Sequence, residues 1–440
     1  MAREWVKDSL GELIEIRHGF AFKGEFFHDE PHGDVLLTPG NFAVGGAFKT
    51  DKFKYYDGPV PEEFVLREGD LLVTMTDLSK QGDTLGYSAF VPSRSDGRRY
   101  LHNQRLGKVI LKEEKSLDIR YLHYLMCTKE YRHEILASAT GTTVKHTSPE
   151  RIKRYDFLRP PMKQQKAIAH ILGTLDDKIE LNRRMNETLE AMARAVFKSW
   201  FVDFDPVRAK AEGRNPGLPK SIANLFPDSF EDSELGKIPK GWRIGSVDEE
   251  FDLTMGQSPP GETYNETGEG VPFYQGRADF AFRFPTRRVF CTAPTRFAKA
   301  GDTLVSVRAP VGDINMAAED CAIGRGVAAV RHKTGARSYT YLCMRSLDGV
   351  FAQFEAEGTV FGCIGKKDFH KIAATVPPKE LVQVVERITS PLDDRIECAE
   401  HESRTLAALR DALLPKLLSG EIRVGKLATR DHGTPECRLS

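Results

Sequence analysis

The residues best suited to chemistry in this sequence are arginines and lysines that cluster in particular stretches. Residues 94–112 contain six basic side chains and one acid, and residues 277–308 contain seven basic side chains and two acids. Phenylalanine and tyrosine are interleaved with them, and a third cluster holds Lys49, Lys52 and Lys54. Clustered basic groups neutralise phosphates, and arginine is the commonest reader of guanine edges. These stretches predict nucleic-acid contacts, although a run of charge is often only a solvated face.

The residues expected to lie near nucleic acid come from these clusters and from one matching position in each half of the chain. Arg105 and Arg325 hold that matching position, so a purely structural role at a turn stays open for both. The full set of candidates is Lys52, Lys54, Arg99, Tyr100 and Arg105 in the first half and Arg277, Arg287, Arg308 and Arg325 in the second half.

Signatures of catalysis and of metal or cofactor binding are weak. The sequence has no P-loop and no HExxH motif, and its seven cysteines show no CxxC spacing. Gly324-x-Gly326-x-x-Ala329 has the letters of a dinucleotide fingerprint but leads into a strand-like run. His28 and His32 lack a third ligand nearby and are interpreted as solvated histidines. We therefore expect no catalytic residue, metal or cofactor in this chain.

Composition sets broad limits on the class of protein. A length of 440 residues predicts two to three domains. The 63 basic and 63 acidic residues cancel, so overall charge gives no support to a nucleic-acid partner. No stretch of 18 uncharged apolar residues occurs, and the chain begins without an apolar signal core. We expect a cytoplasmic protein with no membrane partner.

The elements that position the candidate residues are arranged in an internal repeat. Leu175-Asp176-Asp177 recurs as Leu392-Asp393-Asp394, and Pro160-Pro161 recurs as Pro377-Pro378, both at an offset of 217. Earlier in each copy the matches persist with drifting offsets, which indicates loops of unequal length. The front of each copy has short strand-like runs punctuated by Gly, Pro and Asp, and a short helix follows.

The back of each copy predicts one long helix. Apolar residues recur at alternating spacings of four and three from Ile168 to Trp200, interrupted by Asn182 and Asn186 in the middle, which predicts a helix from Lys163 to Trp200. Two such helices in one chain most simply pack antiparallel, although a core helix of a globular domain would show a similar stripe. The predicted segments are a first mostly-β domain (1–159), a central long helix (160–205), a linker (206–240), a second mostly-β domain (241–376), a C-terminal long helix (377–424) and a disordered tail (425–440).

Three motifs give the chain a family resemblance. Pro160-Pro161-x-x-x-Gln165-x-x-Ile168 leads into the first Leu-Asp-Asp segment, Lys198–Pro206 reads KSWFVDFDP, and Leu413–Ile422 reads LLPKLLSGEI. With these motifs the sequence resembles the specificity (S) subunits of Type I restriction-modification systems over residues 5–424. The second copy departs from the pattern, because its helix start at residues 377–385 lacks a glutamine at the position equivalent to Gln165 and is less basic.

The resemblance implies an α+β fold with a pseudo-two-fold internal repeat. Two mostly-β target-recognition domains would alternate with two long helices packed as an antiparallel coiled coil. The partners would be double-stranded DNA, two methyltransferase (M) subunits and restriction (R) subunits. S-adenosylmethionine, ATP and Mg²⁺ would belong to the partner subunits, and this chain would be non-catalytic. The residues expected to bind the partner subunits are Asn182, Asn186, Trp200 and Phe201.

Two other functions stay open at this point. One is a self-contained adenine DNA methyltransferase with diverged motifs, which would bind S-adenosylmethionine and methylate DNA alone. The other is a non-catalytic coiled-coil scaffold whose fronts bind carbohydrate or peptide. Salt-dependent DNA binding would distinguish the DNA-recognition role from the scaffold.

Overall fold

The computed structural model describes residues 5–49, 52–79, 81–356 and 362–424, which form two compact units. Unit 1 contains the chain up to Ile179 and again from Arg404 onward, and unit 2 contains Glu180–Ser403. Both boundaries fall inside long helices, so each unit includes part of each of them. The tail expected to be disordered, residues 425–440, lies outside the described residues.

Unit 1 combines small β-sheets with short helices. Its helices are α1 (Leu10–Leu13), α2 (Ile119–Leu125), α3 (Lys129–Ala137), α4 (Pro149–Lys153) and the first part of α5 (Met162–Phe201). Its strands are β1 (Val6–Ser9), β2 (Ile14–His18), β3 (Phe27–His28), β4 (Asp34–Leu37), β5 (Lys54–Tyr56), β6 (Val65–Leu66), β7 (Leu71–Thr74), β8 (Thr76–Asp77), β9 (Ser88–Phe90), β10 (Tyr100–His102), β11 (Leu106–Leu111), β12 (Lys145–His146) and β13 (Asp156–Arg159).

Unit 2 is built in the same way. Its helices, after the end of α5, are α6 (Asp205–Ala211), α7 (Lys220–Ala223), α8 (Val247–Glu250), α9 (Arg337–Ser346), α10 (Asp348–Ala356), α11 (Lys366–Lys371) and most of α12 (Lys379–Leu418). Its strands are β14 (Phe230–Ser233), β15 (Gly236–Pro239), β16 (Arg243–Ser246), β17 (Phe251–Met255), β18 (Tyr264–Asn265), β19 (Val271–Tyr274), β20 (Phe290–Cys291), β21 (Phe297–Ala298), β22 (Thr303–Val307), β23 (Val311–Met316), β24 (Cys321–Ile323), β25 (Val327–His332) and β26 (Ala373–Val376).

The two main sheets have the same strand order in both units, which confirms the internal repeat and the α+β class. Each unit has a five-stranded sheet, of order β3-β5-β4-β10-β6 in unit 1 and β18-β20-β19-β24-β21 in unit 2. Each also has a four-stranded sheet, β2-β11-β7-β9 and β17-β25-β22-β23. One strand pair in each five-stranded sheet is parallel, β4 with β10 and β19 with β24.

The long helices are antiparallel in each unit. In unit 2, Asn182 on α5 donates to Ser403 on α12 (3.2 Å), and Asn186, one turn later, donates to Glu400 (2.9 Å). The partner number falls as the helix advances, as antiparallel packing requires. In unit 1, Asp176 accepts a hydrogen bond from Arg410 (2.7 Å).

The segment 206–240, predicted as a linker, is a folded part of unit 2. It carries α6, α7 and a hairpin of β14 and β15, and Val207, Phe226 and Ile238 are buried in the core of this unit. The sequence did not predict this packing, because the few apolar residues are spread without periodicity among prolines and glycines.

The four residues expected to bind partner subunits are buried in the structure, which corrects that expectation. Asn182 and Asn186 are buried where α5 meets α12 in unit 2, and Trp200 and Phe201 lie in the aromatic core of the same unit. They are buried because they occupy the inward-facing stripe of α5.

Within the described part of the chain, no helix combines the length and the apolar character that a membrane span would need.

Candidate nucleic-acid interface

The carboxyl ends of the two parallel strands define one end of the five-stranded sheet in each unit. In unit 1, β4 and β10 finish side by side, with Leu37 paired to His102. In unit 2, β19 and β24 finish in the same way, with Tyr274 paired to Ile323. Loops leave the sheet at this point, and loops carried on a rigid sheet are common sites of binding. We call this region the turn end of each unit.

Arg105 and Arg325 lie at equivalent turns at the turn end. Arg105 directly precedes β11, Arg325 lies two residues before β25, and both side chains are exposed. The backbone N–H of Arg105 donates to Asn103 Oδ1 (2.9 Å), and that of Arg325 donates to Ser258 Oγ (3.4 Å). Each turn therefore holds its backbone in place and presents an arginine to solvent.

A glycine packs tightly under each of these turns. A Cβ at Gly19 would collide with the carbonyl oxygen of Asn103, and a Cβ at Gly256 would collide with that of Gly324. Only glycine allows the neighbouring strand end to pass so close to the turn. The matching pair of glycines therefore fixes the position of the arginine turn in both units.

Two of the predicted lysines join Arg105 at the turn end of unit 1. Lys54 is paired with Leu36 across the β4–β5 ladder, and Asn41 holds the loop before β5 through the carbonyl oxygen of Lys52 (2.9 Å). Lys54 forms an ion pair with Asp29. Lys52 and Arg105 are exposed and have no ion pair among the described residues.

Three of the predicted arginines lie at the turn end of unit 2. Arg308 follows Val307, whose N–H donates to the carbonyl oxygen of Gly326 (2.9 Å), so it lies beside the turn of Arg325. Arg277 follows β19 and pairs with Asp313 (2.9 Å). Arg308 and Arg325 are exposed, and neither has an ion pair within the part of the chain that the structure describes.

The remaining candidates lie at the opposite end of the sheets. Arg99 pairs with Asp34 and Glu62 where β4 and β10 begin, and Tyr100 is only 5% exposed. Arg287 pairs with Glu319, just before β24 begins. These three residues are therefore separated from the turn end.

Most charges in the first basic stretch are neutralised inside unit 1. Arg94 donates to Asp96 and stacks over the ring of Tyr100, and Lys108 pairs with Asp70 (2.6 Å). Asp96 lies in the stretch itself and Asp70 lies just before β7, so counting charges along the sequence overstates the exposed positive charge. Of the six bases in this stretch, Arg105 is the one with no ion pair or hydrogen-bond partner for its side chain among the described residues.

Two exposed glutamines at the turn ends were not predicted. Gln104 precedes Arg105 in the turn, and Gln275 follows β19 and packs against Gly324 and Gly326. A glutamine amide can form two hydrogen bonds with an adenine edge. No sequence signal distinguishes these residues from other surface glutamines, because only the strand register brings them to this end.

Together these observations define a duplicated α+β protein. Each unit has an exposed arginine turn, and each unit contains part of both long helices. Residues 2–191 match the family model described as the Type I restriction modification DNA specificity domain. The chain is 32% identical over 276 residues to the putative type I restriction enzyme MjaX specificity subunit of Methanocaldococcus jannaschii, with 62% of this chain and 60% of that protein covered.

Other known proteins agree with this match. The chain is 26% identical over 352 residues to the type I restriction enzyme HindI specificity subunit of Haemophilus influenzae, covering 67% of this chain and 75% of that protein. The crystal structure of the S subunit from a Type I system of M. genitalium shares the fold, with a TM-score of 0.57 at 18% identity over 94% of this chain and 96% of that one. The chain is thus similar to Type I restriction-modification specificity subunits, and its matched region spans 60% of the MjaX subunit's length.

Proposed function

We propose that this chain is the non-catalytic DNA-recognition subunit of a Type I restriction-modification complex. It binds a bipartite, asymmetric target in double-stranded DNA, and each unit reads one half. The observation that carries this proposal is the exposed arginine turn, Arg105 or Arg325, which occurs at the same end of the same sheet in both units. The match to the DNA specificity domain supports the choice of DNA as the ligand.

The two half-sites should differ in sequence because the two turn ends carry different side chains. Unit 1 presents Lys52 and Gln104 beside its arginine, whereas unit 2 presents Arg308 and Gln275. Arginine favours guanine and glutamine favours adenine, while lysines also neutralise phosphates without reading sequence. Different mixtures of these groups select different bases.

The number of unread base pairs between the half-sites is proposed to depend on the length of the long helices. Each of α5 and α12 has 40 residues, which corresponds to about 60 Å at 1.5 Å per residue. A helix has a fixed rise, so its length specifies a distance and makes no demand on the sequence of the DNA between the half-sites.

The catalytic steps are assigned to partner subunits that assemble on this chain in the cytoplasm. Two M subunits would bind S-adenosylmethionine and methylate adenine, and R subunits would use ATP and Mg²⁺. This chain would hold none of these cofactors. Its contribution is to select the DNA sites at which the partner subunits act.

The experiment is to map methylated adenines by single-molecule sequencing in a host that carries the complete system, with the native chain or a variant. Arg325→Ala should relax base choice at one position in one half-site, and Arg105→Ala should do so in the other half-site. Arg287→Ala, at the opposite end of unit 2, is the matched control and should leave the target unchanged.

Three results would contradict the proposal. One is an unchanged methylation motif in both turn variants. A second is methyl transfer to DNA by the purified chain with S-adenosylmethionine alone, which would favour a self-contained methyltransferase. Failure to bind DNA at any salt concentration, even with M subunits present, would favour the scaffold function.

A further inference from the structure

Three potential metal ligands meet at the edge of the five-stranded sheet in unit 1. Nε2 of His28, at the end of β3, lies 3.1 Å from Oδ1 of Asp57, and Nε2 of His32 lies 3.1 Å from Oδ2 of the same carboxylate. One ligand atom from each residue lies within 4.8 Å of the other two. The expectation that the two histidines have no third ligand is therefore wrong.

The third ligand follows a neighbouring strand, so its closeness to the two histidines cannot be recognised from the sequence. β3 and β5 are antiparallel, with Phe27 paired to Tyr56, so the residue after β5 returns beside the start of β3. The loop that carries His32 then closes over Tyr56 at Gly33, whose φ is 72°. A Cβ at Gly33 would collide with the carbonyl oxygen of Tyr56, so glycine allows this close return.

The immediate surroundings favour a ligand over a simple pair of hydrogen bonds. Nε2 of His28 is a buried atom of a side chain that is 37% exposed, and it faces Asp57 at 3.1 Å without meeting the angle of a well-formed hydrogen bond. The closeness of His28 nevertheless lowers the pKa of Asp57. The two imidazole rings are 4.7 Å apart and nearly perpendicular, so their nitrogens converge on the same carboxylate. A buried nitrogen without a well-formed hydrogen bond gains most from a metal ion placed between it and the carboxylate.

We propose that His28, His32 and Asp57 bind one divalent transition-metal ion of the zinc type. Zinc prefers imidazole nitrogen and carboxylate oxygen at about 2.0–2.2 Å in tetrahedral geometry, with water completing a site that has three protein ligands. Tetrahedral ligands at that distance are about 3.4 Å apart. Each imidazole nitrogen here lies 3.1 Å from one of the two Asp57 oxygens, and one ligand atom from each residue lies within 4.8 Å of the other two. Mg²⁺ and Ca²⁺ are disfavoured because they prefer an all-oxygen shell.

The ion would have a structural role. Asp57 follows the end of β5 that is remote from Lys54, so the bound ion crosslinks the loop of residues 28–33, whose Asp29 pairs with Lys54, to β5. β3 is an edge strand of only two residues, and few backbone hydrogen bonds hold it. A metal crosslink stabilises the folded state by binding it in preference to the unfolded chain.

The experiment uses the untagged, full-length chain after treatment with a chelator. Zn²⁺ is titrated calorimetrically, and Co²⁺ is added in parallel for its visible absorption in tetrahedral nitrogen and oxygen sites. We expect one ion per chain, an increase in thermal midpoint with zinc, and no such increase with Mg²⁺. His32→Gln and Asp57→Asn should each weaken zinc binding by at least about tenfold, because each removes a ligand.

His133→Gln is the control variant, because His133 is an exposed histidine on α3 of the same unit. It should bind zinc as the native chain does. Far-UV circular dichroism checks that the ligand variants stay folded. If one ligand variant fails to fold, the other still tests the proposal. The proposal is overturned if the native chain shows no stoichiometric zinc binding, or if the His32 and Asp57 variants bind zinc as tightly as the native chain.

Discussion

Arg283 belongs to the second basic stretch (residues 277–308), but the fold buries its side chain. Its guanidinium is 1% exposed, ion-paired with Glu190 on α5 and Asp393 on α12, and lies 3.8 Å from the ring of Tyr341. Its pKa is raised above the usual value: burial opposes the charge, but the Tyr341 ring and the two carboxylates outweigh it. Arg283 therefore joins a β-domain loop to both helices in unit 2 and takes no part in the exposed charge.

Arg283→Met should lower the free energy of unfolding by about 3–5 kcal/mol, because it leaves two buried carboxylates without their cation. Urea unfolding followed by circular dichroism measures this change. Adding Glu190→Gln and Asp393→Asn to the same chain should recover part of the loss. Arg287→Met, at an exposed ion pair, should cost less than about 1 kcal/mol. An equal loss in both single variants would show that burial of the arginine is not the cause.

Two buried histidines in unit 1 make stability depend on pH. Desolvation lowers the pKa of His123 and of His102 to about 4 in each case. His123 Nδ1 is hydrogen-bonded to Ser88 (3.0 Å), and His102 Nε2 is hydrogen-bonded to the carbonyl oxygen of Leu106 (3.0 Å). Both rings are thus neutral in the folded state at a pH where the unfolded chain would protonate them.

The unfolded chain binds more protons than the folded chain between pH 6.5 and about 4, so stability falls as the pH decreases through that range. Above pH 6.5 the two neutral histidines make their full contribution to stability, and below about pH 4 that contribution changes no further. Across this pH range, each histidine should lower the free energy of unfolding by on the order of 3 kcal/mol. Urea midpoints measured from pH 7.5 down to 4.5 test this. His123→Gln should show a shallower pH slope than the native chain, and an identical slope would contradict the assignment.

At the scale of elements, the repeated Leu-Asp-Asp segments attach each β-domain to the long helices. In unit 1, Asp176 accepts from Tyr124 on α2 (2.6 Å) and from Arg410 on α12 (2.7 Å), whereas Asp177 is exposed. In unit 2, Asp393 is buried beside Arg283, and Asp394 is exposed. The first aspartate of each pair faces inward because helical geometry places neighbouring residues on different faces.

Asp176→Ala should lower the free energy of unfolding of unit 1 by about 2–4 kcal/mol, because it removes two charge-assisted hydrogen bonds and leaves Tyr124 without its acceptor. Asp177→Ala is the adjacent matched control and should change stability by less than about 0.5 kcal/mol. Chemical denaturation of the two variants side by side gives the comparison. A similar small effect of both changes would mean that Asp176 does not hold α2 against the helices.

At the scale of the whole molecule, α5 and α12 each contribute residues to both units, and the proposed function depends on the length of these helices. Removing one heptad from each of α5 and α12 shortens each helix by about 10 Å. The unread part of the target should then shorten by about three base pairs, since base pairs rise by about 3.4 Å. Mapping methylated adenines with the shortened chain measures the new spacing, and a chain lacking the tail from residue 425 onward is the control. An unchanged spacing would disprove the dependence on helix length.

The sequence by itself determined the repeat, the α+β class and the long helices. The helix expected from Lys163 to Trp200 extends from Met162 to Phe201. These features depend on local periodicity, on glycine and proline, and on repeated motifs, all of which are visible along the chain.

The tertiary structure alone decided which polar residues act together. Strand register brings Arg105 to the same end as Lys52, pairs Arg99 with Asp34, and returns Asp57 beside His28. It also buries Arg283 among carboxylates that are far away in sequence. The physical reason is that electrostatic and coordination partners are set by distances of a few ångströms between separate strands and helices, and the order of residues along the chain does not contain those distances.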